Sequence, residues 1–359
     1  MDQPVSYFGA GPAKLPQPVL QQAAAAILNF EENGLSILEL PHRSRAFKNI
    51  LEEANALVNE LCGLDGAFEI LWLQGGGRLQ FAMLPANFLG HDQQAGYIDS
   101  GHWAAEALDT ARLYGAALVS SSAKAQHYRQ LPAWPQNLPA SLRYLHVTPN
   151  NTIYGTQWAA LPDTGSLPLV ADLSSDIFSR PRHYAGLSMF YAVAQKNLGP
   201  AGVTLVAIRK DFLQRPARAL PPYLDYCAHV AAGGILNTLP VFPIYVCLLY
   251  LRWLKARGLE GQLLENSQKA ALVYEAIDNS RYFRCPIAPA DRSLMNVVFR
   301  GEEPETERLF AAYCRAEGLQ GLEGHRSAGG FRASLYNGVS LQEAQKLALA
   351  IQNFKPETI

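Results

Sequence analysis

From residue 68 onward the chain alternates two kinds of apolar pattern. Short, nearly continuous runs at 68–73, 96–99, 117–120, 144–147, 167–173, 189–193 and 203–208 have the length of buried strands. Between some of them, as at 79–88 and about 103–114, the apolar residues recur at the helical period. Ahead of this lies a Gly- and Pro-rich arm, FGAGPAKLP, then a helix predicted over 18–30. A further predicted helix gathers Phe47, Ile50, Leu51, Ala54, Leu57, Val58 and Leu61 on one face. His42 and Arg43 fall in the loop before it, after a strand-like run in SILEL. The alternation predicts an α/β fold with a mixed, mainly parallel sheet and helices on both faces. From about 258 the texture changes to helix 262–278, strand 295–299, helix 303–317, strand 331–336 and helix 341–354, a smaller α/β layer. The expected division is a large domain over 16–257 and a small one over 258–359, the latter joined by segment 1–15.

Length and composition narrow the possible partners. The 359 residues match two domains at roughly 150 residues each. A net charge of -1 and a pI near 6.7 give no electrostatic case for nucleic acid or a membrane surface, leaving small molecules or a second copy of the chain. The five scattered cysteines form no CxxC pair, so no metal site is predicted and reduced thiols in a cytoplasmic protein are expected. No apolar segment of signal-peptide length opens the sequence, and the apolar run 239–251, broken by Pro240 and Pro243, is too short to span a bilayer and reads as a core or interface helix.

The nine residues AQKNLGPAG, 194–202, separate two of the buried runs and put Lys196 at the mouth of a core. Of the nine lysines, those at 48, 255, 269 and 346 lie in polar, helix-like surroundings where a solvated ammonium is expected. Lys196 differs. A lysine ending a buried strand is partly desolvated, which favours its neutral, nucleophilic form, although a lysine that caps a strand and snorkels to water would give the same pattern. Asp172, at the end of another strand, offers a carboxylate. Gly76, Gly77 and Arg78, between strand and helix, offer an anion cup, and Trp103 a stacking plane. Together they are what pyridoxal phosphate needs for its aldehyde, ring nitrogen, phosphate and ring face. Singly, Asp172 reads as well as a helix cap, Arg78 as a surface ion pair and Trp103 as a core aromatic.

The segments FGAGPAKLP, HRSRAF, QGGGRLQFAMLP, AQKNLGPAGVTLV, LNTLPVF, AIDNSRYF, RSLMNVVF and GHRSAGGFRASLYN make the chain resemble, nearly end to end, the phosphoserine aminotransferases among the fold-type I pyridoxal phosphate enzymes. That resemblance implies an exchange of amino groups between glutamate and 3-phosphohydroxypyruvate, giving phosphoserine and 2-oxoglutarate for serine biosynthesis. It implies Lys196 as the Schiff-base lysine, Asp172 on the pyridinium nitrogen, Trp103 stacked on the ring and Thr152 on the phenolic oxygen. Gly77, Arg78 and Gln195 would hold the phosphate, joined by Asn237 and Thr238 from the second subunit of a homodimer with shared active sites. Arg332 would clamp the α-carboxylate, and His42, Arg43, His325 and Arg326 would receive the distal phosphate or γ-carboxylate. Ala10, Pro41, Asn151 and Leu239 depart from the family pattern. Another fold-type I aminotransferase for a small acid, or a non-catalytic homologue acting by association, are the alternatives.

Overall fold

The computed structural model describes residues 5–32, 34–214 and 216–356. The arm begins as β1 (Ser6–Tyr7) and leads to α1 (Gln17–Leu28) and α2 (Arg45–Cys62), whose first turn is capped by Ser44 and whose last ends at the left-handed Gly63. The strand-like run in SILEL is instead a single 3-10 turn, Ile37–Glu39. Ser36 and Glu39 form a capping box that satisfies the backbone locally, which overrides the β-favouring side chains.

The large sheet is built from β2 (Phe68–Leu73), followed by α3 (Gly76–Phe88), then β3 (Gln94–Asp99), α4 (His102–Ala111), β4 (Ala116–Ser122), β5 (Leu142–Val147), β6 (Leu169–Asp172), β7 (Met189–Val193) and, after the short turn α5 (Ala194–Asn197), β8 (Thr204–Arg209). Its spatial order is β2-β8-β7-β6-β5-β3-β4. The neighbours from β4 to β7 are parallel, whereas β8 pairs antiparallel with both β7 and β2, so it alone runs backwards. The chain ends of β2, β3, β5, β6 and β7 therefore open on one edge, where ligands of such sheets bind. Apolar side chains fill both faces. Phe47, Trp72, Phe190 and Leu205 belong to one cluster, and Phe81, Tyr97, Tyr144 and Tyr191 to the other. Burial on both sides is why these strands read as continuous apolar runs.

Beyond α6 (Lys210–Leu213), α7 (Tyr226–Ala231) and the apolar α8 (Val241–Arg257) comes α9 (Leu259–Asp278). It forms one layer with β9 (Phe283–Arg284), β10 (Asn296–Gly301), α10 (Pro304–Ala316), β11 (Leu319–Gln320), β12 (Phe331–Ser334) and α11 (Leu341–Asn353), packing directly on β9, β10 and α11. β12, β10 and β9 form an antiparallel sheet in that order. Phe283, Phe299, Phe310, Phe331 and Phe354 interlock beneath it, with Phe283 and Phe310 at 4.5 Å between centroids. Phe8 of the arm joins this cluster, and β1 pairs in parallel with β11.

One expectation about the lysines is overturned. Lys269 lies on the inner face of α9, fully buried, with its ammonium donating to the carbonyls of Leu335, Tyr336 and Val339 at 3.1, 3.0 and 2.9 Å. Three backbone dipoles replace the water that a polar helix face would normally provide. Among the described residues no helix is long and apolar enough to cross a membrane.

Candidate active site

A cavity of about 230 Å³ opens at the shared strand edge, lined by Gly75, Gly76, Gly77, Arg78, Phe81, Trp103, Asp172, Ser174, Val193, Gln195 and Lys196. They arrive from four strand ends, those of β2, β3, β6 and β7. Gly75, with φ of +93°, starts α3 where a Cβ would come within 2.4 Å of the Leu79 side chain, so only glycine allows the helix to begin there. The free N–H groups of that first turn, without an acidic side chain among them, form the anion-receptive end of the cavity.

Lys196 stands three residues past the end of β7, in the stretch after the strand where the sequence put it, and that stretch begins with the short helical turn α5. The arm braces this turn. Ala13 N–H donates to the Gln195 carbonyl at 2.8 Å, and Gly11 passes close enough that a Cβ there would touch the Lys196 side chain at 3.5 Å. The amine lies 5.6 Å from the centre of the Trp103 ring. Burial first, and the Arg332 charge second, pull the Lys196 pKa down to about 8, against the opposing pull of Asp172. Asp172 is buried at the end of β6, and burial raises its carboxyl above the usual range, opposed by the Lys196 charge and by Ser174. Its Oδ1 accepts both the Ser174 N–H at 3.0 Å and the Ser174 hydroxyl at 2.5 Å, bonds that leave Oδ2 uninvolved.

Thr152 joins two parts of the site. Its hydroxyl accepts from Trp103 Nε1 at 3.1 Å, and its carbonyl accepts from Arg332 Nη1 at 3.1 Å, so the ring face and the arginine of β12 are fixed to one residue. Burial lowers the pKa of Arg332, and its remaining donors have no protein carboxylate among the described contacts. His325 stacks obliquely on His102 at 5.7 Å, and His102 in turn meets Trp103 at 5.0 Å. Burial and the charges of His102, Arg332 and Arg326 push the His325 pKa down.

Other predicted residues are arranged differently. The Arg78 guanidinium packs 5.3 Å from the Trp103 ring centre and is paired with Glu106, the ion-pair alternative for this residue. His42 and Arg43 contact each other at 3.3 Å, while the hydrogen bond of His325 goes to Ser327. Among the described residues no hydrogen bond joins the two basic pairs. Arg326 and Thr238 are exposed, and Asn237 donates to Gln74 Oε1 at 2.6 Å just outside the cavity. Sequence reasoning missed Ser174, although its place two residues after an aspartate is the spacing of a local side-chain-to-backbone turn. It also missed His102 and the bracing of Lys196 by the arm, which only the fold reveals.

Residues 5–347 match the family model for class-V aminotransferases. The phosphoserine aminotransferase of Lysinibacillus sphaericus is 44% identical over 350 residues, covering 97% of each chain. The chain belongs to this family. Among solved structures, phosphoserine aminotransferase from Bacillus circulans subsp. alkalophilus superposes with a TM-score of 0.94 at 41% identity, over 98% of both chains. A second solved phosphoserine aminotransferase, studied for radiation damage of its Schiff base, gives 0.95 at 40% identity, over 99% of this chain and 100% of that one. The fold is therefore that of the pyridoxal phosphate-dependent aminotransferases, an α/β structure around a mixed, mostly parallel seven-stranded sheet.

Proposed function

We propose that this protein is a pyridoxal phosphate-dependent transaminase that exchanges amino groups between glutamate and 3-phosphohydroxypyruvate, producing phosphoserine and 2-oxoglutarate. The observation that carries this is one cavity lined by a low-pKa lysine, a buried carboxylate, an aromatic ring and the start of a helix. These residues fit the cofactor: the α3 N–H groups suit a phosphate, Asp172 Oδ2 has no hydrogen bond to break among the described residues, and Lys196 loses its proton readily. When bound, pyridoxal phosphate supplies the electron sink that weakens the bonds at the amino-acid Cα.

The chain's own groups do the rest. Lys196 Nζ would hold the cofactor through its aldehyde, and as a free amine it would move the proton at the substrate Cα. Asp172 keeps the ring nitrogen protonated, and Ser174 keeps Asp172 charged and oriented. Gly77, Arg78 and Gln195 hold the phosphate, Trp103 covers the ring, and Thr152 serves its phenolic oxygen. Arg332, anchored by one nitrogen to Thr152, presents its other donors to the α-carboxylate. His42, Arg43, His325 and Arg326 receive the distal anion, and Asn237 and Thr238 reach the phosphate of a second subunit. In this reading the enzyme is a cytoplasmic homodimer, with a large domain over 16–257 and a small domain over 258–359 completed by the arm.

The test is direct. Protein supplied with pyridoxal phosphate, phosphoserine and 2-oxoglutarate should form glutamate, with kcat/KM for phosphoserine at least about thirtyfold above that for serine, because a lost charged contact costs ~2 kcal/mol or more. Absence of glutamate would refute the reading, and equal kcat/KM for the two amino acids would remove the distal phosphate site.

A further inference from the structure

The residue after the reactive lysine is held more tightly than a turn needs. Asn197 is fully buried, its Nδ2 donates to the Ile177 carbonyl at 2.5 Å, and its Oδ1 accepts the backbone N–H of Asn337 at 2.9 Å. Asn337 in turn donates from Nδ2 to the Phe178 carbonyl at 2.9 Å. Asn266 of α9 bridges the same two segments, donating to Ser179 O and to Asn337 Oδ1, both at 2.9 Å. One helical turn further along the same face, Lys269 grips the carbonyls of residues 335, 336 and 339. This clasp ties α9 and the chain leaving β12 to the segment after Asp172 and to the Lys196 turn, using side chains that are 0 to 3% exposed.

We propose that Asn197 is a positioning residue for Lys196, and that Lys269 is the buried hydrogen-bond donor keeping its clasp closed. The inference rests on Lys196 being the amine that holds the cofactor. Lys269 uses all three ammonium protons on the main chain. Burial, helped by the Arg257 charge, pulls its pKa down to about 7, against the distant Glu265 and Glu343, and no carboxylate touches it among the described residues, so the three carbonyls are what hold the amine in place. A neutral side chain of the same length would strand three buried carbonyls and free the turn that holds Asn197. Asn197 is bonded at both ends of its amide, so it fixes the rotation of α5, and with it the direction from which Lys196 meets Asp172 and Trp103. Small errors in such placement are costly to rate.

The test compares Asn197→Ala, Lys269→Met and Lys269→Gln with the parent, each loaded with pyridoxal phosphate. We expect kcat to fall by about tenfold or more in Asn197→Ala and Lys269→Met while KM for glutamate changes less than about threefold. The pH midpoint of the visible absorbance should move by about half a unit or more. Lys269→Gln, which keeps two donors, should fall between parent and Lys269→Met. Folded variants that keep the parental midpoint and kcat would overturn the proposal. Should Lys269→Met not fold, Asn197→Ala and Lys269→Gln decide alone. Failure of the underlying reading looks different: Lys196→Ala would then retain the visible absorbance of the lysine-bound cofactor.

Discussion

The acidity of Lys196 is the sharpest quantitative consequence of the site. Its pKa falls from an ordinary 10.5 to about 8 because the amine is enclosed and faces the Arg332 charge. At about 1.4 kcal/mol per unit, that is a penalty of about 3 kcal/mol on the ammonium. Near pH 7.5 about a quarter of the amine would be neutral, against about one part in a thousand for a solvated lysine. Asp172 opposes the shift, so Asp172→Asn should lower the midpoint further. Competitive acetylation of the cofactor-free protein with trace anhydride, read by mass spectrometry on the Lys196 peptide, measures this directly. A half-reaction near pH 8, moving down in Asp172→Asn, is expected; a midpoint above about 9.5 would refute the reasoning. The linkage has a definite sign. Between pH 8 and 10.5 the unfolded chain holds a proton that the folded one has released, so this group's contribution to stability becomes more favourable as pH rises through that window.

Three substitutions probe other parts of the site. Arg332→Lys keeps the charge but loses the planar fork, so kcat/KM for glutamate should drop by about 10- to 100-fold, while an unchanged value would remove Arg332 from carboxylate binding. Ser174→Ala deletes the 2.5 Å hydrogen bond to Asp172 and the acceptor for Val193 N–H, so thermal scans should show a lower Tm and dialysis a faster loss of cofactor. In Gly338→Ala the new Cβ would lie 2.1 Å from the Lys14 carbonyl, pushing the arm off the Lys196 turn. Cofactor retention should weaken, and a parental off-rate would show that the arm does not brace the site.

What the sequence disclosed, it disclosed through burial. Strands 68–73 and 189–193 emerge at their observed limits because both faces are covered and, Glu69 apart, their residues are apolar. Pairing of β1 with β11 escaped notice, since two residues carry no period and their partner lies near the other end of the chain. Lys269 was misjudged for a related reason. Its helix also buries Gln262 and Asn266, and a polar inner face looks the same as a solvated one when only hydrophobic spacing is read. Asp172, Trp103 and Lys196 were legible because each follows a recognisable strand, and the sheet then gathers such ends on one edge. The basic residues at 42–43 and 325–326 sit in loops whose mutual placement no local pattern encodes.

The single backward strand, β8, carries a consequence for how such enzymes diversify. It returns the chain beside β7 soon after Lys196, so this amine rides on a short hairpin in the middle of the sheet. The arginines and histidines proposed to face substrate anions lie on other segments, in the loops at 42–43 and 325–326 and on β12. Natural or laboratory selection can therefore exchange one acid for another by rewriting those segments, leaving the chemical engine untouched.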